Sequence, residues 1–233
     1  MISPEAIDYF DRIFVPLDEY MRLETKNEKI GAEIPPIVYD GEIADVIKKV
    51  NGAIELGCRE LLVTSLWQVE AFCGKAELCG DIRLNVNNSH SADALRLAGC
   101  DSIINSPEIG VARAADIGGA VVVYGRLPLM TMEKCAIREV VGITGDKCKY
   151  CDTHRFTSLA DRTGAEFILT RESGHRNILY NSVPVWICDR AEDIRRRGLG
   201  EHFIFTCESV GEVCRVIAAA KKGSPFNGRF KRI

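Results

Sequence analysis

Glu60-Leu61-Leu62-Val63-Thr64-Ser65-Leu66-Trp67-Gln68-Val69-Glu70-Ala71-Phe72-Cys73 decides how this chain folds. Its first five residues make a short apolar run of strand length, and Leu66 to Cys73 reads as a helix. A strand feeding straight into a helix is half of a βαβ unit, and the same pair recurs on both sides. Upstream, Ile34 to Tyr39 predicts a strand. Ile43 to Leu56 then carries Ile43, Val46, Ile47, Val50 and Ile54 at helical spacing, with Gly57 as its stop. Downstream, Ile82-Arg83-Leu84-Asn85-Val86 is paired with Ser91 to Ala98, ended by Gly99. Asp101 to Ile104 is paired with Pro107 to Ile117, ended by Gly118-Gly119.

The ends of the chain extend the rhythm. Ser3 and Pro4 predict the N-cap and first turn of a short helix to Phe10, Asp11 to Leu17 a strand halted by proline, and Glu24 to Gly31 a loop or frayed helix end. Ala120 to Tyr124 is another strand. Beyond Pro184 to Cys188, an apolar run, come a helix from Arg190 to Arg197, a strand from Phe203 to Thr206 and a last helix from Ser209 to Ala220.

Strands alternating with helices at this pitch predict an α/β fold with a parallel sheet. Right-handed crossovers would curl such units toward a barrel or wind them into an open sheet. Counted from Asp11 to Leu17, there are about seven core strands, and a (β/α) barrel takes about 250 residues, 200 at the least. The expectation is therefore a TIM-like (β/α) barrel, incomplete and lacking its first strand. It forms a single domain over 1–233, with residues 127–182 as a cysteine-rich insertion.

An apolar fraction of 46% and a charged fraction of 27% over 233 residues are those of an ordinary folded protein with a substantial core. A net charge of −3 excludes a global nucleic-acid signature. Arg195-Arg196-Arg197 and Arg229-Phe230-Lys231-Arg232 are local basic candidates, or simply solvated faces. No run has the length and apolarity of a membrane span, and the N-terminus lacks a basic region followed by an apolar stretch. This predicts a cytoplasmic protein without membrane partners. Ten cysteines then point to a reducing compartment, in which thiols are core residues or metal ligands. Cys58, Cys100, Cys188, Cys207 and Cys214 lie in or beside apolar segments, as buried small hydrophobes do.

In a parallel barrel, chemistry collects where strands end. Asp40, Thr64, Ser65, Asn85, Asn87, Asn88, Asn105, Ser106, Glu108, Tyr124, Arg126 and Glu208 fall there. Most also suit helix capping; Asn85 and Arg126 are exceptions, because neither sits where a cap is needed. Asn85, Glu108, Arg126 and Glu208 are the candidate catalytic or substrate-contact residues.

The thiols are a stronger signal. Cys148-Lys149-Tyr150-Cys151 lets two sulfurs reach one ion, and Cys135 can return to it across a loop. Thiolates select zinc or iron-sulfur centres. The fourth ligand is either His154, which completes a compact C-x2-C-x2-H, or His175 at longer range. His90 and His202 read as solvated loop positions. A protease motif is absent: there is no G-x-S-x-G, no H-E-x-x-H and no cysteine in a protease context.

Taken together, Leu84 to Ser89, Ser106-Pro107-Glu108, Val123 to Met130, Cys135, Cys148-x2-Cys151, Leu159-Ala160-Asp161-Arg162-Thr163-Gly164 and Asn177 to Ser182 resemble the peptidase U32, or collagenase-like protease, family in its long bacterial form. The resemblance runs from about Ile34 to the end and is most specific in the cysteine block. It implies a (β/α) barrel with a [4Fe-4S] cluster. It also implies a role in hydroxylating an RNA base or a related small aromatic substrate, despite the peptidase name. By position, Cys135, Cys148 and Cys151 match three cluster ligands. Where the family places its fourth cysteine, before an Arg, this chain has His175. Zinc is the alternative metal. A collagenase-like peptidase, and a non-catalytic subunit completing a larger U32 partner or a homo-oligomer, are the alternative functions.

Overall fold

The computed structural model describes residues 2–24, 26–143, 148–172, 175–223 and 225; the basic tail 229–232 lies outside them. The chain divides into two compact units, Met1–Val122 with Arg190–His202, and Val123–Asp189 with Phe203–Arg232.

In the first unit the elements are α1 (Pro4–Tyr9), β1 (Ile13–Pro16), α2 (Leu17–Arg22), β2 (Ile30–Glu33), α3 (Asp40–Glu55), β3 (Glu60–Val63), α4 (Leu66–Phe72), β4 (Glu77–Gly80), α5 (Ser89–Ala98), β5 (Ser102–Ile103) and α6 (Val111–Ile117). Strands β1 to β5 form one sheet in sequence order, and every pairing is parallel. A parallel bridge from Ile104 to Ala120 carries the order on to β6 (Ala120–Gly125). Helices cover the sheet, so strand residues are buried on both faces. Leu61, Leu62 and Val63 in succession are an unbroken apolar run for that reason. Val50 and Ala53 of α3, Phe72 of α4 and Leu95 of α5 pack into the same core as Leu61, Val63, Leu78 and Ile103.

Four details depart from the sequence reading. The second strand is Ile30–Glu33 and not Ile34–Tyr39, where Pro35 and Pro36 supply no N–H to a ladder. The fourth is Glu77–Gly80. Ile82–Leu84 is instead a 3-10 turn capped by Asp81, whose carboxylate accepts the N–H of Arg83 at 2.9 Å. Helix α2 was hidden among polar residues. The final strand candidate, Phe203 to Thr206, begins earlier, at Gly200.

In the remainder, β7 (Pro128–Met132), α7 (Ala136–Val141), α8 (Tyr150–Thr153), β8 (Phe156–Ala160), β9 (Glu166–Arg171) and β10 (Asn177–Tyr180) fall within residues 127–182. The four strands form an antiparallel sheet in the order β7-β10-β9-β8. Residues 127–182 thus carry a sheet of their own. β11 (Val185–Trp186) runs antiparallel to β6, and the order β11-β6-β12 includes β12 (Gly200–Ile204). Helix α9 (Ala191–Arg196) belongs to the first unit and helix α10 (Val210–Lys221) to the second.

Candidate metal centre

The register of the antiparallel sheet gathers the cysteines. Asn177, the first residue of β10, pairs with Met132 at the end of β7 and with Arg171 at the end of β9. Phe156, the first residue of β8, pairs with Thr170 beside that end. Two strand exits and two strand entrances therefore lie at one end of the sheet. Three of these ends bring donors and the β9 exit brings Arg171: Cys135 follows β7, His175 precedes β10, and Cys148 and Cys151 stand before and within α8, which leads into β8.

Cys135, Cys148, Cys151, Arg171, His175 and Asn177 line one hollow there, with a cavity volume of about 10 Å³, room for roughly one water-sized group. That is far below the usual 300–1,000 Å³ of a small-molecule pocket, so an inorganic group suits it better than an organic ligand. Cys135 is buried against Ile137 and Leu169, with Tyr150, Cys151 and Leu179 packed around them. Among the described residues, no three His, Cys, Asp or Glu side chains are already arranged to hold one ion. Backbone position brings these donors to the hollow; a shared ion would require their side chains to rotate onto a common point. Three thiols and an imidazole are a donor set that zinc and iron-sulfur centres accept.

His154, the compact alternative, does not line the hollow. Its ring is exposed and stacks on Tyr150 at 4.1 Å between centroids, and Nδ1 lies 3.1 Å from the Tyr150 carbonyl oxygen.

The other thiols differ in kind. Burial pushes the thiols of Cys58, Cys79 and Cys100 up, the last to about 11, so they stay protonated. Cys58, Cys100 and Cys188 are buried as expected, whereas Cys207 and Cys214 are only half-buried.

Of the candidate catalytic residues, Asn85 and Glu108 are exposed, on the loops after β4 and β5. Those loops are joined by the Ser106 N–H donating to the Val86 carbonyl at 2.8 Å. Contrary to the sequence reading, Asn85 does stand at a cap: it closes the 3-10 turn in the left-handed conformation, φ 51°. Asn88 caps α5 by accepting the Ser91 N–H at 2.9 Å. The charges of Arg126 and Glu208 both act on Tyr124 and Cys207. Arg126 Nη1 donates to the carbonyls of Asn181, at 3.1 Å, and Ser182. Glu208 accepts the Tyr124 hydroxyl at 2.9 Å and the N–H groups of Thr206 and Cys207 at 2.7 and 3.1 Å.

Sequence reasoning missed a polar group. Arg83 Nη1 lies 3.0 Å from both Glu33 and Asp81, and burial pushes the pKa of His202 down against the opposing charge of Asp81. His202 lies in β12, not in a loop, and His90 is the second residue of α5. The charge neighbours could not be found from spacing, because Glu33 and Arg83 are far apart along the chain.

Burial, with the Glu208 carboxylate as the next cause, pushes Tyr124 well above the ordinary tyrosine range; burial alone is the main cause that lifts Tyr20 to about 12. The unfolded chain releases these protons near pH 10, so their contribution to stability is whole below pH 10 and is lost as pH rises through the folded values. An absorbance titration of tyrosinate is expected to show Tyr20 and Tyr124 ionising only as the protein unfolds. Ionisation of either one near pH 10 in the folded protein would show that its hydroxyl is not buried.

No helix among the described residues is long and apolar enough to cross a membrane. Compared with family models, curated proteins and solved structures, the chain matches none.

Proposed function

We propose that this is a U32-like metal-thiolate protein in which Cys135, Cys148, Cys151 and His175 hold a [4Fe-4S] cluster and which assists hydroxylation of an RNA base or a related aromatic substrate. The observation that carries the reading is the delivery of all four donors to one end of one sheet, around one hollow. When bound, such a cluster supplies one-electron transfer, and an imidazole ligand in place of a thiolate raises its potential. The chain's own part is to present the donors, and to keep the hollow small enough that substrate stays outside it.

The parallel sheet supports the finer fold, an incomplete (β/α) barrel. Strands β1 to β5 are in sequence order, the Ile104–Ala120 bridge continues them in the same sense, and the charge of Asp81 acts on His202. In that fold Asn85 and Glu108 are substrate contacts on loops after strands, and Arg126 and Glu208 supply a cation and a carboxylate held by backbone partners.

The test is purification under anaerobic conditions with iron, sulfide and zinc analysis. A brown protein with a broad visible absorption and iron matched by sulfide is expected. Zinc in stoichiometric amount in a colourless protein would replace the cluster by a structural Cys3His site. Protein without metal after reconstitution would remove the reading altogether.

A further inference from the structure

The two donors furthest apart in sequence are joined by more than the sheet. The side chain of Asn177 is fully buried; its Oδ1 accepts the N–H of Ala136 at 2.9 Å and its Nδ2 donates to the Arg176 carbonyl at 3.1 Å. One residue earlier, Arg176 is 5% exposed, and its Nε donates to Glu133 at 2.7 Å. Glu133 and Ala136 bracket Cys135; Arg176 and Asn177 directly follow His175. Two side-chain bonds thus staple the segment carrying one donor to the segment carrying the other. Asn177 also forms part of the wall of the hollow.

We infer that Asn177, together with Arg176, is a positioning residue that sets Cys135 and His175 at a fixed separation across the hollow. This rests on the reading of the hollow as a metal centre. Neither residue is a ligand. Asn177 fixes the backbone of Ala136, adjacent to the Cys135 thiol, so the sulfur's approach to an ion is decided before the ion arrives. An amide suits the position because it accepts from one backbone and donates to the other. Aspartate at 177 keeps only the acceptor, and alanine neither.

Cobalt(II) serves as the probe, because its thiolate charge-transfer and d–d bands report ligand geometry as well as affinity. In the full chain, Asn177→Ala is expected to bind cobalt about 10–100-fold more weakly, as loss of a group orienting a ligand does. Its bands should be shifted, with Asn177→Asp between it and the wild type. Glu133→Ala, at a side chain 62% exposed, removes the other bond without opening the core, and is expected to weaken binding by less than about tenfold with a band shift in the same sense.

Folded Asn177→Ala with wild-type affinity and bands would overturn the inference. If circular dichroism shows that variant to be unfolded, Glu133→Ala decides: shifted bands support the staple, and wild-type behaviour rejects it. A wild-type protein that takes up neither cobalt, zinc nor iron fails at the metal centre itself, and the inference falls with it. That outcome is read from the wild-type arm alone.

Discussion

Replacing Cys148 and Cys151 together by serine is expected to abolish metal uptake, with affinity lowered at least about 100-fold, since even an outer partner of a ligand is worth about 10–100-fold. The pair contributes half of the four donors around the hollow. Serine keeps the volume but presents a hard, protonated hydroxyl where a soft thiolate is needed. Neither cysteine is deeply buried, so the folded chain should survive the change, and far-ultraviolet circular dichroism should be that of the unmetallated wild type. The same titration on His175→Ala and His175→Cys separates the fourth ligand from a bystander. The cysteine variant should retain or tighten binding and the alanine variant lose it, while His154→Ala should change nothing. Because thiols shed protons on binding metal, uptake by every competent variant should weaken in acid. Retention of metal by the double-serine variant would show that the ion is held elsewhere.

The second large effect is on stability. Gly125 ends β6 at φ 135°, a conformation that residues with a Cβ rarely adopt, and an added Cβ would stand 2.4 Å from the carbonyl oxygen of Ile204 and 2.5 Å from its Cβ. Both obstacles are fixed to the backbone, so no side-chain rotation relieves them. Gly125→Ala is therefore expected to cost about 3–5 kcal/mol, adding backbone strain to a clash that moves β12. A urea titration should show a much lower midpoint. Gly57→Ala is the control: its φ is also positive, at 99°, but nothing lies within 4 Å of the added atom, so it should cost about 1–2 kcal/mol, the strain alone. Equal midpoints for the two variants would disprove the close approach at Ile204.

Much of the parallel sheet could be read from residue order, because burial on both faces leaves an apolar run and amphipathic helices leave a period. Leu61 to Val63 and the face of α3 that carries Val46 and Val50 are such cases. The errors have local causes. Ile82, Leu84 and Val86 alternate like a strand, but Asp81 turns the chain through its side-chain bond to the Arg83 N–H, and Gly80 has already ended the ladder. Ile34 is fully buried and apolar, yet the two prolines after it end the pairing. Around the hollow, the spacing of Cys135, Cys148 and Cys151 anticipated that they would lie near one another. Which histidine joins them was open in the sequence, since both spacings are plausible; His175 lines the hollow through sheet register, while the Tyr150 ring and carbonyl engage His154. Asn177 opened one of the stretches that carry the family resemblance, but nothing marked its side chain as a staple, because a polar residue opening a strand looks like any other turn residue.

Strand ends converging on a single hollow have one further consequence. An ion bound there would cross-link stretches of chain that the hydrogen-bond ladder alone leaves free to fray. Occupancy and the integrity of the β7-β10-β9-β8 layer would then be one equilibrium: chelation would loosen that layer, and loosening it would release the ion. The β1–β5 layer contributes none of the donors and would be spared.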